Sequence, residues 1–341
     1  MIKFFILIII LLLFLISCTS EQPSPDQFPT VEVTPETSEN VLSNSERCNQ
    51  NQFKMAFILV AQNTREITSE KVQRLQEIKD IYPAIFSTAT LQLASIDTSY
   101  PITIFTLDQL SDNSLETIAK TFYGSNPDQF DFISIFPATA EFSNLPTSYS
   151  PVQSFVQGIG TIPLNRDSSF FGSKGQLLGI GYYRDYLNEM NLVSAESSAK
   201  KILHETGHQW CCYAGASLGI LDHDLPIHFY TRLDSHFDNG AYIGSWHWIS
   251  NGDGTYRTNF KEVSPDKFHP FALYFMGLYT KENYNFDQKF QLFDATDNQR
   301  AVPSKEISIN DIIAVEGERT CLKNVPSSVS IVPTVADTIT S

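Results

Sequence analysis

Basic residues are scarce in this chain: 23 Lys and Arg stand against 38 Asp and Glu in 341 residues, a formal net charge of −15. A surface that grips nucleic acid needs the opposite balance, because phosphates must be neutralised. Electrostatic adhesion to anionic membranes is excluded on the same ground. A Gly-rich nucleotide loop, a paired Cys-x-x-Cys and internal repeats are also missing. The apolar run Phe4–Ile16 is too short for a comfortable membrane span. Core material is plentiful: 42% of residues are hydrophobic and 12% aromatic, which rules out wholesale disorder.

Lys3 followed by that run reads as a secretory signal over residues 1–17. The segment Leu15-Ile16-Ser17-Cys18 resembles the lipobox of bacterial lipoproteins, which implies cleavage before Cys18 and lipidation of that cysteine. Loss of Lys3 with the leader takes the net charge from −15 to −16. Residues 18–47 read as a solvated tether, with Pro23, Pro25, Pro29 and Pro35 and no basic residue from Thr19 to Glu46. A coil of that length holds the folded part roughly 30 Å from the lipid. Thr19 and Ser20 follow Cys18 where an aspartate would favour inner-membrane retention, so an exported lipoprotein of the outer membrane or cell surface is expected. The lipid is then its only membrane contact.

Four cysteines remain. Cys48 opens the folded region and Cys321 nearly closes it, so a disulfide between them is expected to fasten the ends of one domain over residues 48–325. Adjacent Cys211 and Cys212 are expected as free buried thiols, since a ring between neighbours is strained. Residues 326–341, rich in Ser, Thr, Val and Pro, read as a flexible tail.

Phe53–Ala61 is an apolar run that suits a buried strand. Val72, Leu75 and Ile78 then predict a helix from Thr68 that ends before Pro83. Further strands are predicted at Leu91–Ile96, Ile102–Thr106, Phe130–Phe136 and Gly158–Pro163, with a helix near Asn113–Phe122. Such alternation predicts an α/β-like first half. After one strong helix from Ser197 to Tyr213, the second half reads as irregular and loop-rich, giving an α+β chain overall.

That helix carries the sharpest signal, His204-Glu205-Thr206-Gly207-His208. Residues four apart on a helix lie one turn above each other, so both imidazoles can chelate one ion, with Glu205 set aside from them. Zn2+ lowers the pKa of a bound water to about 7, and a neighbouring carboxylate can act as general base. Gly207 costs about 1 kcal/mol of helix stability relative to Ala, and close packing against a strand would explain it. A catalytic zinc wants a third protein ligand. The short metzincin pattern fails because Cys211 and Ala214 occupy its Gly and His positions, and Glu262, beside Pro265, is a poor candidate. Asp222, His223, Asp224, His228, His236, His247 and His269 stay open.

His204–Trp210, then Ser235-His236-Phe237, Asn251-Gly252-Asp253-Gly254-Thr255 and Phe271–Leu278 together resemble a group of secreted bacterial metalloproteases of the zincin class. That group carries HExxHxW, a downstream Ala-His-Trp-Ser, an Asn-Gly-Asp-Gly-Thr and a Leu-Tyr-Leu-Met-Gly-Leu. The resemblance covers roughly residues 195–280. It implies a mixed sheet with an active-site helix, His236 as third zinc ligand, Met276 in a methionine turn beneath the metal, and a protein or peptide substrate. Phe237 departs from the tryptophan of the pattern, and His247-Trp248 is a second His-Trp pair, so His247 is kept as an alternative. Asn251–Thr255 on its own reads as a tight turn. Tyr213, Tyr230, Tyr242 and Tyr274 are candidate oxyanion donors. A monomer is expected. Two other functions fit the same residues: a surface lipoprotein that binds glycoprotein or cell-wall material around a structural zinc, and a zinc amidase acting on peptidoglycan.

Overall fold

The structure is a computed structural model that describes residues 43–139, 142, 145–160, 162–184, 187, 193–211, 248–258, 267–297, 300–325 and 339–340. The chain divides into two units, Met1–Ser38 and Glu39–Ser341, and the described residues all belong to the second. Cys18 therefore lies outside them.

The described part opens with helix α1 (Asn44–Cys48), β1 (Gln52–Ala61), α2 (Ser69–Ala89), β2 (Ser95–Asp97) and β3 (Thr103–Thr106). Helix α3 (Leu115–Ser125) and β4 (Phe132–Pro137) follow. Four short strands come next: β5 (Ser148–Pro151), β6 (Gln153–Ser154), β7 (Val156–Gln157) and β8 (Leu164–Asn165). Then come β9 (Gly179–Tyr182), α4 (Ala195–Gly207), β10 (Trp248–Ser250), β11 (Tyr256–Thr258) and α5 (Pro270–Phe275). The last elements are β12 (Phe290–Asp297), β13 (Arg300–Ile307), α6 (Ile309–Glu316), β14 (Thr320–Cys321) and β15 (Ile339–Thr340).

Side-chain alternation along β1 explains the layers. Phe53, Met55, Phe57, Leu59 and Ala61 enter one core, and Ala56, Ile58 and Val60 enter the other. A strand covered on both faces must be apolar on both, which is why its sequence is nearly unbroken. Leu75, Ile78, Tyr82 and Phe86 of α2, with Ile202 and Leu203 of α4, close the first core; Ile118 and Phe122 of α3 close the second. Each such side chain taken out of water is worth roughly 1.5–3 kcal/mol. Among the described residues one mixed sheet runs β15-β5-β9-β4-β1-β2, with β3 also on β1. Its centre is parallel, while β5 and β15 are antiparallel additions at one edge. The fold is thus α+β with a mixed sheet.

Several expectations need correction. Helix α2 runs through Pro83 to Ala89. Proline lacks the N–H that would bond the carbonyl four residues back, and here the Thr98 hydroxyl donates to that Lys79 carbonyl instead, at 2.9 Å. Leu91 and Gln92 take positive φ (56° and 64°), so the strand begins only at Ser95. The predicted strand at Gly158–Pro163 is interrupted by Gly158 and Gly160 at φ near 80°. The second half is less irregular than expected, because β10, β11, β13 and β12 form a four-stranded antiparallel sheet. Gly252 and Gly254, both at positive φ, turn the chain between β10 and β11, and Asp253 Oδ1 accepts from the Thr255 N–H and hydroxyl.

The folded body also begins earlier than residue 48. Ser43 caps α1 in a capping box with Glu46, and Arg47 is buried. Its guanidinium donates to Gln153 Oε1 at 3.0 Å and lies 3.9 Å from the Asp131 carboxylate. At the other end, Ile339–Thr340 falls in the expected tail yet pairs with β5. Cys48 and Cys321 are joined in a disulfide that ties α1 to β14. Cys211 is buried but disulfide-bonded, contrary to the free thiol expected; its partner lies outside the described residues. Among the described residues no helix is long and apolar enough to cross a membrane.

Candidate metal centre

Helix α4 starts where Ser194 Oγ accepts from the Ser197 N–H at 3.1 Å, a cap worth about 1 kcal/mol. Ala199, Ile202 and Leu203 face the sheet, while Glu196 and Lys200 pair at 2.7 Å on the outer side. The helix lies beside α2, over the β5 and β9 side of the sheet. It ends at Gly207, short of the predicted Tyr213, but His208 keeps right-handed helical geometry (φ −61°, ψ −11°) as the cap. The one-turn relationship between the two histidines survives for that reason.

Gly207 is explained by close packing, although not against a strand. A Cβ there would meet Phe268 Cε1 at 3.2 Å, in the segment leading to α5. That segment is fixed to the end of α2 by a bond from the Phe268 N–H to the Ala89 carbonyl.

The two imidazoles converge. His204 Nε2 and His208 Nε2 are 3.2 Å apart, with the rings nearly perpendicular at 85°. Two nitrogens on one tetrahedral zinc, each about 2.0–2.1 Å from the ion, are about 3.3 Å apart. The donor pair therefore fits zinc in both atom type and separation. His208 Nδ1–H donates to the Cys211 carbonyl at 3.4 Å, which puts the ring's lone pair on Nε2, where an ion can take it. His204, Glu205 and His208 are 3%, 1% and 2% exposed.

Behind the helix lies a buried hydroxyl cluster. Tyr82 Oη donates to Thr206 Oγ1 at 2.9 Å, and Thr206 donates to the Ile202 carbonyl at 2.8 Å. Burial drives the Tyr183 hydroxyl well above the ordinary phenol range, and the nearby Tyr82 and Glu205 add to the effect. On the following turn, Tyr149 Oη donates to Gln209 Oε1 at 2.6 Å and Gln209 Nε2 donates to the Gln153 carbonyl at 2.7 Å. Trp210 packs on Phe53 and Phe132. The helix is thereby tied to α2 and the turn to the strands. Tyr82 and Gln209 escape sequence reading, since nothing local announces their partners.

Among the described residues no group of three or more His, Cys, Asp or Glu gathers as a metal site. Asp222, His223, Asp224, His228, His236 and His247 lie outside the described residues, as do Tyr213, Tyr230 and Tyr242. His269 is described and serves the fold, because its Nδ1 accepts from the Phe271 N–H at 3.2 Å and caps α5. Its ring is packed against Phe271 and Phe290, and burial lowers its pKa to about 3. Met276 is buried at the end of α5, where Gly277 (φ 79°) lets the Leu278 N–H return to the Leu273 carbonyl. It shares a core with Leu203 and Trp210. The Tyr274 hydroxyl accepts from the Arg319 N–H at 2.8 Å.

Gly215-Ala216-Ser217-Leu218-Gly219 has the spacing of a nucleophile elbow. It follows a helix, whereas an elbow sits between a strand and a helix, and it lies outside the described residues. Comparison of the chain with protein-family models finds no match, and comparison with curated proteins finds none either.

Proposed function

We propose that the chain is an exported zinc metallopeptidase of the zincin type, anchored through lipid on Cys18 and hydrolysing peptide bonds. The observation that carries this reading is the 3.2 Å approach of two buried imidazole Nε2 atoms on one helix, with Glu205 between them in sequence. His204 and His208 would hold Zn2+, with His236 as the third donor from the segment after Cys211. When bound, the ion supplies Lewis acidity that polarises the scissile carbonyl and acidifies water. Glu205 takes the proton of the attacking water and delivers it to the leaving amine. The Cys211 carbonyl orients His208, and the Tyr82–Thr206 bond sets the rotation of α4. Met276 and its turn form part of the apolar floor of the site. The acidic tether, residues 18–42, holds this body away from the bilayer.

Glu205→Gln tests the reading. It should keep the metal and abolish hydrolysis of a denatured protein substrate. Turnover near wild type would remove Glu205 from the mechanism, and turnover confined to cell-wall stem peptides would make the enzyme an amidase.

A further inference from the structure

A cavity of about 880 Å³ opens between α2 and the starting ends of β1, β2 and β4, and none of His204, Glu205 or His208 lines it. Its size is that of a small-molecule site. Lys79 lines it, and its side chain is only 7% exposed. The nearest acid, Asp80, is 4.0 Å from the ammonium, beyond hydrogen-bond reach. That long ion pair leaves the ammonium's hydrogens able to donate to a group within the cavity.

The wall facing Lys79 is built rigidly. Pro83 frees the Lys79 carbonyl, and the buried Thr98 hydroxyl takes it up, which pins the turn after β2 to α2. Asp97, the last residue of β2, is exposed, and its Oδ1 accepts from the Ser99 N–H. That bond holds its carboxyl below the usual range, with Lys54 and Lys79 contributing. Asp131 at the back is occupied by Gln50, Gln176 and the Lys54 N–H.

The cavity thus offers an ammonium donor beside the carboxylates of Asp80 and Asp97. An anion drawn to Lys79 would meet Asp80 and Asp97, and a cation drawn to these would meet Lys79. A neutral group that both donates and accepts satisfies all three, and a hydroxyl does so. Half-buried Pro83 adds apolar surface to the same wall, suited to the C–H face of a sugar ring. We propose that this cavity binds a neutral saccharide, a short oligosaccharide with Lys79 and Asp97 bridged by its hydroxyls. The site is separate from the histidine pair and independent of metal.

The test uses the full-length chain in the presence of a chelator, probed with an array of neutral hexose and N-acetylhexosamine oligosaccharides beside sialylated and sulfated glycans. Inorganic phosphate is titrated separately by calorimetry. Neutral oligosaccharides should bind, and Lys79→Met and Asp97→Asn should each weaken binding about tenfold or more. Asp97 is exposed, so its variant should keep the parent melting temperature and decides the matter if Lys79→Met fails to fold. Absence of neutral-glycan binding at millimolar concentration, preference for anionic glycans or phosphate, or binding unchanged in Asp97→Asn would overturn the proposal.

Discussion

His204 and His208 present their Nε2 atoms to each other at 3.2 Å in a site where both residues are almost wholly buried. Two imidazolium ions cannot share that space without strong repulsion. The arrangement suits a pair of neutral rings directed at one cation.

Tyr82 should act as a positioning residue for this pair. Its hydroxyl crosses from α2 to Thr206, midway between the histidines, at 2.9 Å. Tyr82→Phe removes that bond while keeping the ring in the core, and should cost about 1 kcal/mol in denaturant unfolding. Metal should also be lost to a chelator at lower concentration than in the parent. A variant less stable but unchanged in metal retention would reduce Tyr82 to a packing role.

His269 should govern part of the acid sensitivity. Burial holds it neutral, with a pKa of about 3 against the ordinary 6.5. The unfolded chain therefore binds a proton that the fold does not. Stability from this group is complete above about pH 6.5 and is lost as the pH falls toward 3, on the order of 5 kcal/mol over the window. His269→Asn keeps a side-chain acceptor for the Phe271 N–H and removes the titration. Its melting temperature should fall less between pH 7 and 5 than the parent's. An equal slope in both proteins would assign the sensitivity to other groups.

The disulfide between Cys48 and Cys321 should be a main support of the body. Arg319 reinforces it: the guanidinium donates to the Cys48 carbonyl at 2.7 Å and the Phe275 carbonyl at 2.9 Å. Burial lowers its pKa to about 10, so it remains charged at neutral pH. The Cys48→Ser, Cys321→Ser double variant should lose about 2–5 kcal/mol. Arg319→Met should also lose about 1–3 kcal/mol, because buried carbonyls go unpaired. Both are read by chemical unfolding, and a double variant matching the parent midpoint would contradict the account.

Much of the sheet was legible because its central strands are buried on both faces, and Phe53–Ala61 and Phe130–Phe136 announce this by composition. Leu91–Ile96 and Gly158–Pro163 misled because apolar residues there accompany positive-φ turns. Pro83 misled because its rescue comes from Thr98, beyond the end of the helix. The β12 and β13 hairpin was missed because Gln, Asp, Lys and Glu interrupt the apolar residues of its strands without a regular alternation. At the site, the histidine pair was legible from a local spacing. Tyr82 and Gln209 were not, since their partners lie 124 and 60 or fewer positions away and follow from tertiary packing.

Metal content tests the central claim most directly. The full chain, purified without chelator, is assayed by elemental analysis beside His204→Ala and His208→Ala, with folding of all three checked by circular dichroism. The account predicts about one zinc per parent chain and none in either folded variant. A folded parent without zinc, even after incubation with the ion, would contradict it and leave the histidines as a buried hydrogen-bonded pair.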